Sequence, residues 1–93
     1  MTDKQEQKSG ITEKYEGIYK RIGSNIRKCR KKAKLTQEQL ADKSTKLDRA
    51  KISDMENGKE DFMFSTLLEI ANGLNIDVEK LTKKERVVKK KGD

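Results

Sequence analysis

The chain has no histidine, no proline and no tryptophan, and its only cysteine is Cys29. Without imidazole or paired thiols it can build no soft-ligand metal cluster, no intrachain disulfide and no histidine base for a nucleophile. No metal or cofactor is therefore expected. No Gly-rich phosphate loop of the Walker kind, no pair of carboxylates at acid–base spacing and no internal repeat is present, which argues against an ordinary enzyme. Apolar side chains are also scarce: 31% of the 93 residues are hydrophobic and 42% are charged, so one small bundle with tails is the largest core the chain can fill. No apolar run approaches the roughly 20 residues of a membrane span, and the N-terminus lacks the apolar centre of a signal peptide. The expected location is cytoplasmic, with no membrane partner.

What the chain has in excess is positive charge. Its 23 Lys and Arg against 16 Asp and Glu leave a net charge of +7, which favours an anionic partner. Residues 1–12 are polar and nearly balanced in charge, and read as a flexible arm. From there a single domain is expected over 13–82, followed by a basic tail over 83–93. Tyr15, Ile18, Tyr19, Ile22, Ile26, Cys29 and Ala33 recur at helical spacing along a first helix that ends near Lys34 and tolerates Gly23 within it. Cys29, in register with that stripe, is read as a buried free thiol. The other side holds Lys20, Arg21, Arg27, Lys28, Arg30, Lys31, Lys32 and Lys34, with no acid between Lys20 and Lys34. Such a run suits a phosphate backbone or, were the stripe free, an anionic membrane.

The rest of the chain is organised around residues 36–59, TQEQLADKSTKLDRAKISDMENGK. Thr36 is a good N-cap, with Glu38 and Gln39 placed for a capping partner. A second helix opens on Asp48, carries Ile52 and Met55 on one face, and closes at Asn57-Gly58. The short break between them predicts helix, turn, helix. With Ile52 inward, Ala50, Ser53, Asp54 and Asn57 point outward, flanked by Arg49 and Lys51. That face could enter a major groove, with the arginine fork on guanine and the alanine on a thymine methyl. It could equally be a solvated helix face. Phe62 and Phe64 are expected in the core beneath a helix over 65–74, whose apolar arc is Leu67, Leu68, Ile70, Ala71 and Leu74 and whose end is marked by Asn72-Gly73. Asp77 is expected to cap a short fifth helix, with Val78 and Leu81 inward.

Taken together, IRKCRKKAKLTQEQLA, LDRAKISDMENGK and STLLEIANGLNIDVEKL resemble the lambda-repressor-like, Cro/CI-type (XRE) helix-turn-helix domain from about Gly23 to Leu81. The resemblance implies an all-α, five-helix domain that binds double-stranded DNA through its third helix, as a homodimer on an inverted repeat. It carries base-reading roles to Arg49, Ala50, Lys51 and Asp54. Phosphate contacts fall to Gln37, beside free backbone N–H groups, and to Asn57 and Lys59, with Lys46 placed beside the backbone by the turn. The turn DKSTKL is one residue longer than the family's usual turn and lacks its glycine, which bears on the angle of the third helix. Met63 stands where the family has a serine or similar cap, leaving Asp61 or Ser65 as replacements.

The function this implies is a sequence-specific transcriptional regulator, a repressor or autoregulator, of the kind found in phages, restriction-modification systems and antitoxins. A rival reading is a protein-interaction adaptor, an antitoxin or coactivator that holds a protein partner through its tail or through 62–64. Arg49 and Lys51 separate the two, because only a DNA reader needs them at an exposed helix end.

Overall fold

A computed structural model describes residues 13–59 and 61–84. The expected arm over 1–12, and all of the expected tail except Lys83 and Lys84, lie outside the described residues. Within the described residues five helices follow one another: α1 (Glu16–Lys32), α2 (Gln37–Ala41), α3 (Arg49–Glu56), α4 (Phe64–Leu74) and α5 (Glu79–Thr82). The fold is all-α and its described residues contain no strand. No helix among them is long and apolar enough to cross a membrane.

Local chemistry sets most of the boundaries. At α2 the capping box is complete: the Thr36 hydroxyl accepts from the Gln39 N–H, and the Gln39 side chain accepts from the Thr36 N–H. Asp48 caps α3 by accepting from the Lys51 N–H at 2.7 Å. Three helices stop on a residue in the left-handed region, with the following N–H turned back to a carbonyl five residues earlier. At α3 that residue is Gly58, as the sequence predicts, and Lys59 donates to Asp54. At α1 it is Lys34 and at α4 it is Asn75, so α4 runs through Gly73 and ends later than the Asn72-Gly73 pair implies. Neither Asp61 nor Ser65 replaces the missing cap of α4, which starts on Met63 without a side-chain bond. The expected cap on α5 is also corrected: the cap position is Val78, and Asp77 contributes only its carbonyl, to the Lys80 N–H.

Inward side chains from every helix meet in one core. Ile26, Leu40, Ile52, Met55, Ile70 and Leu81 are each 0% exposed, and burying a side chain of this size contributes about 1.5–3 kcal/mol. Gly23 faces the carbonyls at the end of α3, so the α1 backbone approaches α3 more closely than any side chain would permit. The lengthened turn after α2 is fixed from both sides. Leu47 is buried in the core, and the Ser44 hydroxyl accepts from the Lys46 N–H while donating to Glu69 of α4 at 2.7 Å.

Three expectations about burial do not hold. Cys29 is only half-buried, packed against the core rather than within it. Phe62 is likewise half-buried, its ring edge-on to Tyr19 at 5.6 Å, whereas Phe64 is 59% exposed. Leu68 is 44% exposed, one turn after Phe64 on the same side of α4. The apolar arc of α4 is wider than the core it covers, and its surplus faces outward.

Candidate nucleic-acid interface

The helix-turn-helix unit is held by a buried carboxylate. Glu56, on the last turn of α3, has a side chain with 0% exposure and accepts from Arg30 of α1 twice, at 2.6 Å from Nε and 3.1 Å from Nη2. Gln37, the first residue of α2, donates to the same carboxylate at 3.1 Å, and Arg27 adds a longer bond at 3.4 Å. Arg30 also donates to the Leu35 carbonyl at 2.8 Å, in the link between α1 and α2. One carboxylate thus ties together the three helices whose mutual angles set the pose of α3. Burial alone would push its pKa up. The bonds from Arg30 and Gln37, the Arg30 charge and the Arg27 bond outweigh that effect and hold the group below its ordinary value.

With its inner side so anchored, α3 presents its outer side freely. Arg49 and Ala50 are exposed, Lys51 and Asp54 are half-exposed, and Asn57 closes the same face. The Arg49 guanidinium has no ion-pair or hydrogen-bond partner among the described residues. Lys59 lies 3.9 Å from Asp54, an exposed pair worth at most about 1 kcal/mol. Lys46 is exposed in the turn before α3.

Asn57 is linked by Arg27, read from the sequence only as part of the basic run, to the Glu56 carboxylate that Gln37 also reaches. Arg27 reaches the Glu56 carboxylate with Nε and the Asn57 side-chain oxygen with Nη2, at 3.3 Å. Asn57 also donates to the Ser53 carbonyl at 2.9 Å. The Gln37 amide is therefore engaged inward, to Glu56, and the Asn57 amide is oriented before any partner arrives. Arg30, read from the sequence as part of an outer basic run, is 9% exposed and belongs to the interior. The signal that could have located this network is the lone glutamate of ENGK next to the inward Met55, opposite a basic run with no acid to balance it. Beyond α3, the Tyr19 hydroxyl donates to Asp61 at 2.7 Å, tying the following loop to α1.

Comparison with known proteins agrees with this architecture. The helix-turn-helix family model matches residues 26–81. The immunity repressor protein of Bacillus phage phi105 is 37% identical over 68 residues, which cover 73% of this chain and 46% of that repressor. The chain thus matches about half the length of this relative. Among solved structures, the restriction-modification controller protein C.AhdI from Aeromonas hydrophila superposes with a TM-score of 0.68 at 28% identity, covering 72% of this chain and 96% of that one. Family match, helix order and the anchored third helix coincide over the same residues, and the chain belongs to the Cro/CI-type (XRE) helix-turn-helix family.

Proposed function

We propose that the chain is a sequence-specific DNA-binding transcriptional regulator, a repressor or autoregulator, whose α3 enters the major groove of double-stranded DNA. The observation that carries this reading is the division of α3 into two sides. Ile52, Met55 and Glu56 lock it to the core, while Arg49 and Ala50 stand exposed beside Lys51 and Asp54. In this reading those four residues face bases, and Gln37, Lys46, Asn57 and Lys59 lie along phosphates. For Gln37 the inward bond to Glu56 makes its role one of placement, with Arg27 the nearest exposed cation. The names of the phage repressor and the controller protein support the same class of activity.

Arg49 is the sharpest test. Its fork, unpaired among the described residues, matches the O6 and N7 acceptors of guanine. Arg49→Ala should cost about 1–3 kcal/mol on the best site and relax the preference at one base pair per half-site. A phosphate clamp would instead weaken all sequences alike and lower the log–log salt slope by about one unit. Selecting sites from a random DNA library with both proteins decides: an unchanged base preference would remove Arg49 from the groove floor.

We also propose a homodimer on an inverted repeat, with half-site centres about 34 Å or a multiple apart. Leu81, inward as the sequence predicts, is 0% exposed within its own core and is unavailable for pairing. Val87 and Val88 lie outside the described residues. Among the described residues, Tyr15 and Ile18 at the start of α1 and Phe64 on α4 leave apolar surface around a groove of about 320 Å³, with Leu68 exposed one turn beyond Phe64. Phe64→Glu should shift the protein to a monomer in sedimentation equilibrium while preserving its helical spectrum. An unaltered association constant would assign pairing to another face. The adaptor reading draws on the same surface, since Met63 is 72% and Phe64 59% exposed.

A further inference from the structure

Glu69 lies on α4, which supplies none of the proposed DNA contacts, yet it is tied to the turn that leads into α3. The Ser44 hydroxyl donates to its carboxylate at 2.7 Å and accepts from the Lys46 N–H at 3.0 Å. The first bond is short and charge-assisted, and the second closes a serine turn of the kind that fixes local backbone. The Ser44 N–H in turn donates to the Ala41 carbonyl at 3.2 Å. Gly73 lets α4 come close at the same end of α2: a Cβ there would stand 3.0 Å from the Leu40 side chain and 3.3 Å from that of Lys43. The lengthened turn is thus strapped to α4 before Leu47 enters the core.

This tie matters because of where α3 is otherwise held. The Glu56 network grips its C-terminal end, whereas Arg49 and Ala50 stand in its first turn. At 1.5 Å per residue, Arg49 is about 10 Å along the axis from Glu56. A tilt of about 10° at that anchor would move Arg49 by about 2 Å, more than the roughly 0.5 Å that a binding constellation tolerates. The leading end therefore needs its own hold. Asp48 accepts from Lys51 within α3 itself, which caps the helix without fixing it to its surroundings. Leu47 and Ile52 hold by apolar burial, which is not directional. The two bonds of Ser44 supply direction.

We propose that Ser44 and Glu69 are positioning residues for base reading: acting through Lys46, they set the angle at which Arg49 and Ala50 meet the groove. The proposal rests on the reading of α3 as the recognition helix. It makes α4 a determinant of specificity without contact with DNA. The device needs a hydroxyl at 44 and an acceptor at 69. Ser44→Thr and Glu69→Gln should therefore preserve it, and Ser44→Ala and Glu69→Ala should break it. Glu69→Gln also separates geometry from charge, since it removes the carboxylate's repulsion of phosphate while keeping the bond.

The test uses the full chain and begins without DNA. Residual dipolar couplings of the 15N-labelled protein report the direction of α3 relative to α1 and α4. In Ser44→Ala and Glu69→Ala that direction should shift by about 10° or average over such a range, while Ser44→Thr should match wild type. The DNA probe is the duplex that wild type prefers from a random library. Both alanine variants, fully folded at the assay temperature, should bind it about tenfold more weakly, within the range of a displaced base contact. The double variant should bind no more weakly than either single one, because both remove the same tie. An α3 direction unchanged by either alanine variant would overturn the proposal, as would affinity losses that add in the double variant or merely follow the unfolded fraction. Failure of wild type to prefer any duplex would instead overturn the reading of α3, and the couplings, measured without DNA, keep the two failures apart.

Discussion

Glu56→Ala is expected to lower the stability of the domain by about 3–5 kcal/mol, the cost of stranding a buried cation after removal of its partner. That is a large share of the roughly 5–15 kcal/mol available to a small domain, so the variant should be partly unfolded at 37 °C. Arg30 would keep only the Leu35 carbonyl, and Gln37 and Arg27 would lose the acceptor they share. Urea unfolding of Glu56→Ala, Arg30→Met and the double variant Arg30→Met/Glu56→Leu would separate pair from scaffold. The double variant should recover much of the loss, because apolar replacement of a whole buried pair is often neutral. Equal urea midpoints for wild type and Glu56→Ala would mean that the network carries no weight. The same carboxylate sets an acid limit. Its folded pKa lies below the ordinary 4.5, so its stabilisation is complete above that value and is lost as the pH falls through the folded pKa. In Glu56→Gln that part of the acid sensitivity should disappear.

Gly23→Ala is the second large effect, and it opposes the usual direction. In an exposed helix interior the change should stabilise by about 1 kcal/mol. Here the added Cβ would sit 2.3 Å from the Met55 carbonyl oxygen and 2.6 Å from that of Glu56. Backbone atoms cannot step aside as a flexible side chain can, so α1 and α3 must separate. A net loss of about 3 kcal/mol is expected, at the upper end of the range for overpacking. Gly17→Ala, six residues earlier in the same helix with nothing within 4 Å of the new methyl, serves as control and should gain stability. Thermal melts of the two variants moving in opposite directions would establish the close crossing; a stabilised Gly23→Ala would refute it.

These two residues mark the limit of what the sequence discloses. The helices, the caps at Thr36 and Asp48, the stop at Gly58 and the two sides of α3 are all legible, because each depends on residues within a turn or so of one another. Gly23 looks like a tolerated break in a helix because its reason lies more than 30 residues away, in the carbonyls of Met55 and Glu56. Arg30 looks like one more outward cation because its partner is 26 residues distant. Phe64 and Leu68 look like core because hydrophobic spacing records which side chains avoid water, not whether the monomer has room for them. Lys34 gives no warning that it ends α1: a left-handed stop on a lysine costs roughly 1–2 kcal/mol and persists because Leu35 must turn into the core. For the candidate site, the residue types on α3 could be read, but the inward turn of Gln37 toward Glu56 could not.

The division of α3 has a consequence for how such a chain can change over generations. Its folding information sits on one flank, in Ile52, Met55, Glu56 and the Asp48 cap. The side chains of Arg49 and Ala50 make no polar contact on which the fold depends, and surface substitutions of this kind usually alter stability by no more than about 0.5 kcal/mol. A lineage can therefore rewrite those positions one at a time without passing through an unfolded intermediate. Under the proposed reading of α3, new specificity would require no new scaffold, only drift along the outer half of one eight-residue helix.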